Sequence, residues 1–364
     1  MTASSLTQLP GPRPDTASRP LPSRQRSVAP GPGAEPARAR RRRQGGPGAQ
    51  TLLVANAGGH LDELWLLRPR LGITDEVTWV TCDTPQSRAL LDGERRIFVP
   101  WARPRDPLAT LANARAASQV LSSGRWSQVI STGSLHAVPF LTLARARGIP
   151  CHFIESATRI DGPSVSARLV EKVPGVRLYS QYESWDRKGW CYRGSVFDGF
   201  APDKSPKKSL RNVVVVLGAS RYGFRRLIDA VRAALPRDAS VLWQSGSTDI
   251  SDLPSAPGVT WRSFLSGDEL FAAMRRADLV IAHAGVGAAL TAMRAGHCPV
   301  LVARRADHGE HIDDHQLQVA AALGDAGLAL PASADEISGA ELAAASGRRV
   351  VRQEAPGSFV LRQP

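Results

Sequence analysis

The feature that most limits how this chain can fold is the stretch 279–320. It opens with Leu279-Val280-Ile281-Ala282, an apolar run of the length of a buried strand. The chain then turns through His283-Ala284-Gly285-Val286-Gly287 and enters an Ala-rich segment that reads as a helix ending at Gly296. Residues 299–303 form a second apolar run, expected to lie parallel to the first because a helix separates them. A charged loop over 304–310 and a helix over 312–323 follow. Small residues where a strand passes into a helix let a ligand approach the backbone. The first N–H groups of that helix then face an anion such as a diphosphate. Turns that need only close packing share this spacing, so the glycines alone leave both readings open.

The longer order of motifs resembles the donor-binding half of the family 28, GT-B-type glycosyltransferases. Members run strand, His, small residue, Gly-x-Gly, helix, Arg-Ala-Gly, strand, loop, then His-x-Asp and a nearby Gln at a helix start. Here those positions are His283, Gly285, Gly287, Arg294-Ala295-Gly296, His311, Asp313 and Gln316. The family includes the bacterial transferase that adds N-acetylglucosamine to peptidoglycan lipid intermediates. It also includes the catalytic subunit of the two-subunit eukaryotic transferase that builds chitobiosyl-diphosphodolichol.

The rest of the chain is consistent with two domains of this kind. At 364 residues the length suits two domains. Residues 1–50 are expected to be a disordered tail: they are dominated by Pro, Gly, Ser, Ala and Arg and contain no aromatic residue. Nine Arg stand there against Asp15 and Glu35, so 9 − 2 = +7 of the total +13 is concentrated in the tail. Anionic lipid, nonspecific nucleic acid and a merely solvated extension all fit such a segment. No apolar core of secretory-signal length follows the charges, and no stretch reads as a transmembrane helix. The four cysteines, Cys82, Cys151, Cys191 and Cys298, show no paired spacing and are expected to be free thiols in a reducing cytoplasm. The expected location is cytoplasmic, peripheral to the inner face of the cell membrane if the Arg-rich tail meets anionic lipid.

Residues 51–202 are expected to form an N-terminal acceptor-binding domain. Strands are expected over 51–55, 77–82, 97–99, 128–131, 151–154 and 176–180, with helices over 108–122 and 135–147 among those between. A Pro-, Ser- and Lys-rich linker is expected over 203–211. Residues 212–330 form the donor domain, with strands over 213–217, 240–243 and 259–264, and residues 331–364 a C-terminal extension. Apolar strands alternating with helices indicate parallel sheets with ligands beyond the strands' C-terminal ends. The expected fold class is α/β: two Rossmann-like domains facing a cleft, the GT-B architecture.

Three polar turns at strand ends of the first domain add to the resemblance. They are Ala57-Gly58-Gly59-His60, Ile130-Ser131-Thr132-Gly133-Ser134 and 153–159, with Glu155, Ser156 and Arg159. Taken singly, each could be an ordinary turn or cap, and Ser134 is a candidate N-cap. In this order they resemble the membrane-recruiting, acceptor-side subunit of the two-subunit transferase, so the chain resembles a fusion of acceptor and donor halves.

That resemblance implies transfer of a sugar from a nucleotide diphosphate, as co-substrate, to an acceptor, with no other cofactor and no obligatory metal. It implies donor contacts from Gly285, Val286 and Gly287, from the loops at Gly218 and Ser220 and at Gln244 and Gly246, and from His283, His311, Asp313, His315 and Gln316. On the acceptor side it implies Gly58, Gly59, Gly133, Ser134 and Arg159, with His60 and Glu155 as catalytic candidates. A neutral imidazole suits general-base work, and a helix-terminal histidine can equally be a packed residue. The chain departs from the family at Thr291, where relatives carry a Glu that binds ribose hydroxyls. Asp249 or Asp268 could compensate. His311 and His315 are expected at i and i+4 on one helix face, but Ile312 occupies the Glu position of a zinc-protease motif, so no metal is expected. The expected partners are a nucleotide-sugar donor, a lipid-linked or other saccharide acceptor and an anionic membrane surface, with no specific nucleic acid. Two other readings remain at this stage: a GT-B-type nucleotide-sugar 2-epimerase, and a non-catalytic nucleotide-sugar-binding scaffold.

Overall fold

The computed structural model describes residues 48–101, 107–185, 187–218 and 220–361. The expected basic tail lies almost wholly outside the described residues. The first sheet contains β1 (Gln50–Val54), β2 (Val77–Cys82), β3 (Arg96–Val99), β4 (Trp126–Ser131), β5 (Cys151–Ile154), β6 (Val176–Ser180) and β7 (Trp190–Tyr192). All pairings are parallel, in the order β3-β2-β1-β4-β5-β6-β7. Helices α1 (Gly59–Leu67), α2 (Pro85–Leu90), α3 (Pro107–Ser122), α4 (Ala137–Ala146) and α5 (Val165–Val170) connect them. A short strand, β8 (Phe200–Lys204), leads out of this domain.

The second sheet repeats the plan. It contains β9 (Asn212–Val216), β10 (Ser240–Gln244), β11 (Val259–Arg262), β12 (Leu279–His283), β13 (Val300–Val302) and β14 (Leu330–Ala332), in the order β11-β10-β9-β12-β13-β14. Its helices are α6 (Arg225–Ala234), α7 (Gly267–Arg276), α8 (Val286–Arg294), α9 (His315–Asp325) and α10 (Gly339–Ala345). The run Val213-Val214-Val215-Val216 forms the middle of the sheet because both faces of β9 are covered by helices; all four residues are buried. In each sheet the strand order reverses beside the first strand, at β1/β4 and at β9/β12. A crevice forms beyond the strands' C-terminal ends at such a reversal, and the candidate site lies there.

One apolar cluster runs through both domains: Leu61, Leu64 and Leu67 of α1 belong to the same core as Val286, Ala289, Leu290 and Met293 of α8. Continuous burial of this kind holds the two sheets close across the crevice.

Three expectations about elements need correcting. The expected linker is not irregular from its start: β8 takes in Asp203 and Lys204 and pairs antiparallel with β15 (Arg348–Arg352). The C-terminal segment then returns to the first domain. Phe359 is fully buried, and its N–H donates to the Arg70 carbonyl at 2.9 Å. Helix α9 begins at His315 instead of 312, so His311 precedes the helix and the two histidines do not share a helix face. Ser134 is not an N-cap: α4 starts at Ala137 after His136, and Ser134 adopts a left-handed φ of 71°. Among the described residues no disulfide joins the cysteines; Cys82, Cys151 and Cys298 are buried and Cys191 is half-buried. Among the described residues no helix is long and apolar enough to cross a membrane.

Candidate active site

Helices α1 and α8 have glycine N-caps, Gly58 and Gly285, and no side chain caps either one. Most capped helices of this chain use Ser or Thr, as at Thr84, Ser266 and Ser338. The two uncapped starts face each other. A Cβ placed on Gly59 would lie 3.9 Å from the backbone nitrogen of Gly287, and one on Gly287 would lie 3.7 Å from Cα of Gly59. Each helix presents the positive end of its dipole and unpaired N–H groups to the same narrow space. Larger side chains at these two positions would fill it.

A cavity of about 320 Å³ opens from this point along α8. Gly287, Thr291 and Arg294, spaced four and three residues apart, form one stripe of its wall. The opposite wall carries Gly58, Gly59, Asp62 and Gln86 from the first domain. Apolar lining comes from Leu265, Leu270 and Phe271, and from Phe264, which is 59 % exposed. Arg294 is held between two rings, 5.0 Å from Trp65 and 5.3 Å from Phe271. Gln244 also lines the cavity; it is 5 % exposed, and its Oε1 is buried without a hydrogen-bond partner.

His283 shapes the floor. Gly285 has an ordinary φ of −91°, so no left-handed backbone calls for glycine there. A Cβ at that position would instead overlap the His283 ring, and one on Gly218 would come within 2.6 Å of it. The imidazole therefore sits wedged between two glycines. Its Nδ1 bonds the Val216 carbonyl at 3.3 Å, which fixes Nδ1 as the protonated nitrogen. Burial pushes its pKa down to about 4, with Arg304 acting in the same direction, so the ring is neutral.

Arg304 organises the loops below the cavity. Its guanidinium donates to the carbonyls of Leu217, Tyr222, Gly223 and Glu310 at 2.6–3.1 Å. Ser220 lies in the loop so held, accepting the Tyr222 N–H at 3.3 Å, and Gly246 turns the chain after β10 with φ 61°; Ala219 lies outside the described residues. Gln316 is buried, and its carboxamide oxygen accepts the Arg304 N–H at 3.1 Å. It acts on the loop rather than lining the cavity. Asp249 is exposed and caps Ser251, whereas Asp268 lines the cavity. The Thr291 hydroxyl donates to the Gly287 carbonyl one turn earlier at 2.8 Å.

In the first domain His60 lies one residue past Gly59, on the flank of α1 away from Asp62. Its Nδ1 is 3.0 Å from the Thr132 carbonyl, and the Thr132 hydroxyl donates back to the His60 carbonyl at 2.6 Å. A carbonyl can only accept, so Nδ1 carries the proton and Nε2 keeps a free lone pair. Burial holds the pKa below the ordinary histidine value, against the bond to Thr132. Gly133, at φ 111°, packs against this ring; a Cβ there would come within 3.4 Å of it.

Glu155 is placed differently. It is 1 % exposed, and its oxygens accept the N–H groups of Ser156 and Ser164 at 3.1 and 2.8 Å. Glu63, equally buried, accepts from Ser156 Oγ, Ala157 N and Gln181 Nε2. Both carboxylates hold the loop that carries Arg159. From that loop Arg159 reaches across to Asp313 of the second domain, at 3.6 Å. Asp313 also bonds His311, at 3.1 Å, and His315. The ligand atoms of these three residues lie within 4.8 Å of one another, a spacing that could hold a cation. Their carboxylate is already shared between two imidazoles and a guanidinium.

Asp62, Gln86 and the aromatic clamp on Arg294 were missed from sequence. Helical geometry offered one signal: Asp62 lies three residues after Gly59, so it shares that glycine's side of α1.

Two domains with the same strand order, a crevice at both reversals and paired helix starts define the GT-B glycosyltransferase architecture. Three solved structures share the fold. S. aureus MnaA, solved with UDP, is 12 % identical, with a TM-score of 0.53 over 80 % of this chain and 93 % of its own. A kitacinnamycin glycosyltransferase is 18 % identical, with a TM-score of 0.52 over 82 % and 89 %. SnogD, a glycosyltransferase from Streptomyces nogalater, is 18 % identical, with a TM-score of 0.51 over 81 % and 89 %. No curated protein matches the sequence. Residues 213–345 match the glycosyltransferase family 28 C-terminal domain. The chain thus has the GT-B fold and carries a glycosyltransferase family 28 C-terminal domain over residues 213–345, which makes it a hexosyltransferase that uses a nucleotide sugar.

Proposed function

We propose that this enzyme uses a UDP-sugar, transferring a hexose or N-acetylhexosamine to a polyprenyl-diphosphate-linked saccharide in surface polysaccharide synthesis. The single observation that carries the reading is the apposition of two uncapped glycine-led helix starts, at Gly59 and Gly287, beside a cavity of nucleoside size. The donor diphosphate takes the N–H groups at Val286 and Gly287, beside Gly285, whose own N–H donates to the His283 carbonyl at 2.7 Å. The acceptor enters past His60, Gly133, Ser134 and Arg159.

The acceptor hydroxyl attacks the anomeric carbon as the bond from that carbon to the diphosphate oxygen breaks. Nε2 of His60 takes the hydroxyl proton, and the nucleoside diphosphate leaves with the bonding electrons, stabilised by fixed dipoles rather than a metal. A single displacement inverts the anomeric configuration. The nine arginines within residues 1–50 suit an anionic membrane surface, where a lipid-linked acceptor would be met.

The test is to incubate the full chain with UDP-linked hexoses and N-acetylhexosamines and a polyprenyl-diphosphate-linked saccharide, following UDP and product mass. The expected result is acceptor-dependent UDP release and a product one sugar larger. Interconversion of the donor sugar without acceptor would point to a 2-epimerase. Binding with neither reaction would point to a scaffold.

A further inference from the structure

The cavity along α8 is lined by a carboxylate from the other domain. Asp62 sits half-buried on α1, and its Oδ2 lies 3.9 Å from where a Cβ on Gly287 would be. It therefore stands at the start of the Gly287–Thr291–Arg294 stripe, where a bound diphosphate would give way to the adjoining nucleoside. Gln86 of α2 aims the carboxylate: its Nε2 donates to Asp62 Oδ2 at 2.9 Å, while its Oε1 accepts the Gly58 N–H at 2.7 Å. Among the described residues no hydrogen bond reaches Asp62 Oδ1. Burial raises the carboxyl to about 6, opposed by Arg294 and by Gln86, so it is ionised at neutral pH.

A carboxylate binds a pair of adjacent hydroxyls through two charge-assisted bonds. Asp268, the other carboxylate of the lining, is exposed, whereas Gln86 fixes Asp62, and on α8 the proton of Thr291 is committed to the Gly287 carbonyl. A second observation points to a hydrogen-bonding ligand: among the described residues, Gln244 Oε1 is buried in the lining with no partner.

We propose that Asp62 binds the vicinal hydroxyls of the donor ribose, so that the acceptor-side domain contributes directly to donor recognition. This rests on the nucleotide-sugar reading above. Donor affinity then requires both domains, because α1 and α2 supply the hydroxyl acceptor and α8 supplies the diphosphate site. The arrangement ties donor binding to the closed crevice.

The test is a binding cycle with UDP and 2′,3′-dideoxy-UDP on the wild-type chain and on Asp62→Asn, by calorimetry at pH 8. Wild type should bind UDP at least about tenfold more tightly than the dideoxy compound. In Asp62→Asn the ratio should fall towards one, while dideoxy-UDP binds both proteins equally, which shows that the variant keeps its fold and its diphosphate site. Asp62→Ser repeats the comparison should the first variant unfold. Equal affinity of wild type for the two compounds, or an unchanged preference in the variants, would overturn the role of Asp62 and leave donor binding standing. Failure of wild type to bind either compound would overturn both readings.

Discussion

Replacing Arg304 with Met tests how far the donor site depends on one buried cation. The guanidinium is 1 % exposed, lies 4.8 Å from the Phe224 ring and donates to four backbone carbonyls in the loops below the cavity. Hydrogen bonds from a charged donor contribute about 1.5–3 kcal/mol each, so four give a gross value of about 6–12 kcal/mol. Against this stands the cost of burying the charge. Burial pushes the Arg304 pKa down to about 10 from 12.5, and 12.5 − 10 = 2.5 units corresponds to roughly 3 kcal/mol at 1.36 per unit. Methionine keeps the length and apolar contact, and water entering the loop re-solvates some of the carbonyls. The expected net loss is about 3–5 kcal/mol, the range for removing one partner of a buried charged group. Urea unfolding should show this loss, and nucleotide affinity should fall tenfold or more because the 217–223 loop loses its anchor. A variant within about 1 kcal/mol of wild type that binds nucleotide normally would refute the role assigned to Arg304.

Three further outcomes are expected. His60→Gln should lower kcat by about 10²–10⁴-fold with donor affinity little changed, and the wild-type rate should fall on the acid side below the ordinary histidine value, because burial lowers the His60 pKa. A wild-type acid limb above pH 6.5, or a Gln variant of normal kcat, would contradict this. Glu63 should make the fold less stable as pH rises: burial, outweighing three donated hydrogen bonds, raises its carboxyl from 4.5 to about 7, so the native state binds the proton more tightly than the unfolded chain. Melting temperatures should therefore decline between pH 5 and 8, and Glu63→Gln should flatten that slope; a slope unchanged in the variant would contradict the assignment. Transfer should survive EDTA, since the Asp313 carboxylate is already engaged by His311, His315 and Arg159. Loss of activity restored by zinc or manganese would show that this cluster holds a metal.

Much of the architecture was legible because buried parallel strands are written as short apolar runs. Val213-Val214-Val215-Val216 and Leu279-Val280-Ile281-Ala282 admit few other placements. What escaped depends on pairing between distant segments. β8 sits in a Pro- and Lys-containing stretch, and its partner β15 lies about 150 residues later, so local composition gave no sign of it. The start of α9 was placed too early because Ile312 supplied an apolar residue at helical spacing. Ile312 is 69 % exposed, and Asp313 bonds both histidines from an irregular turn. Glycines marked the start of α8 as a place where a ligand could approach the backbone, but its facing the start of α1 is a property of the closed crevice. The partners of Glu155 and Gln316 were likewise invisible: motif position shows where a residue sits and not whether its polar atoms are free.

The most direct test of the donor site is thermal unfolding of the full chain with a panel of nucleoside diphosphates, on wild type and on Gly287→Trp. A Trp at that position would fill the space between α1 and α8. Ligand at one hundred times its dissociation constant adds about 2.7 kcal/mol of stability. Melting temperature should rise clearly with UDP in wild type, and the rise should be lost in Gly287→Trp. No rise with any nucleotide, or an equal rise in the Trp variant, would contradict a donor site between those two helices.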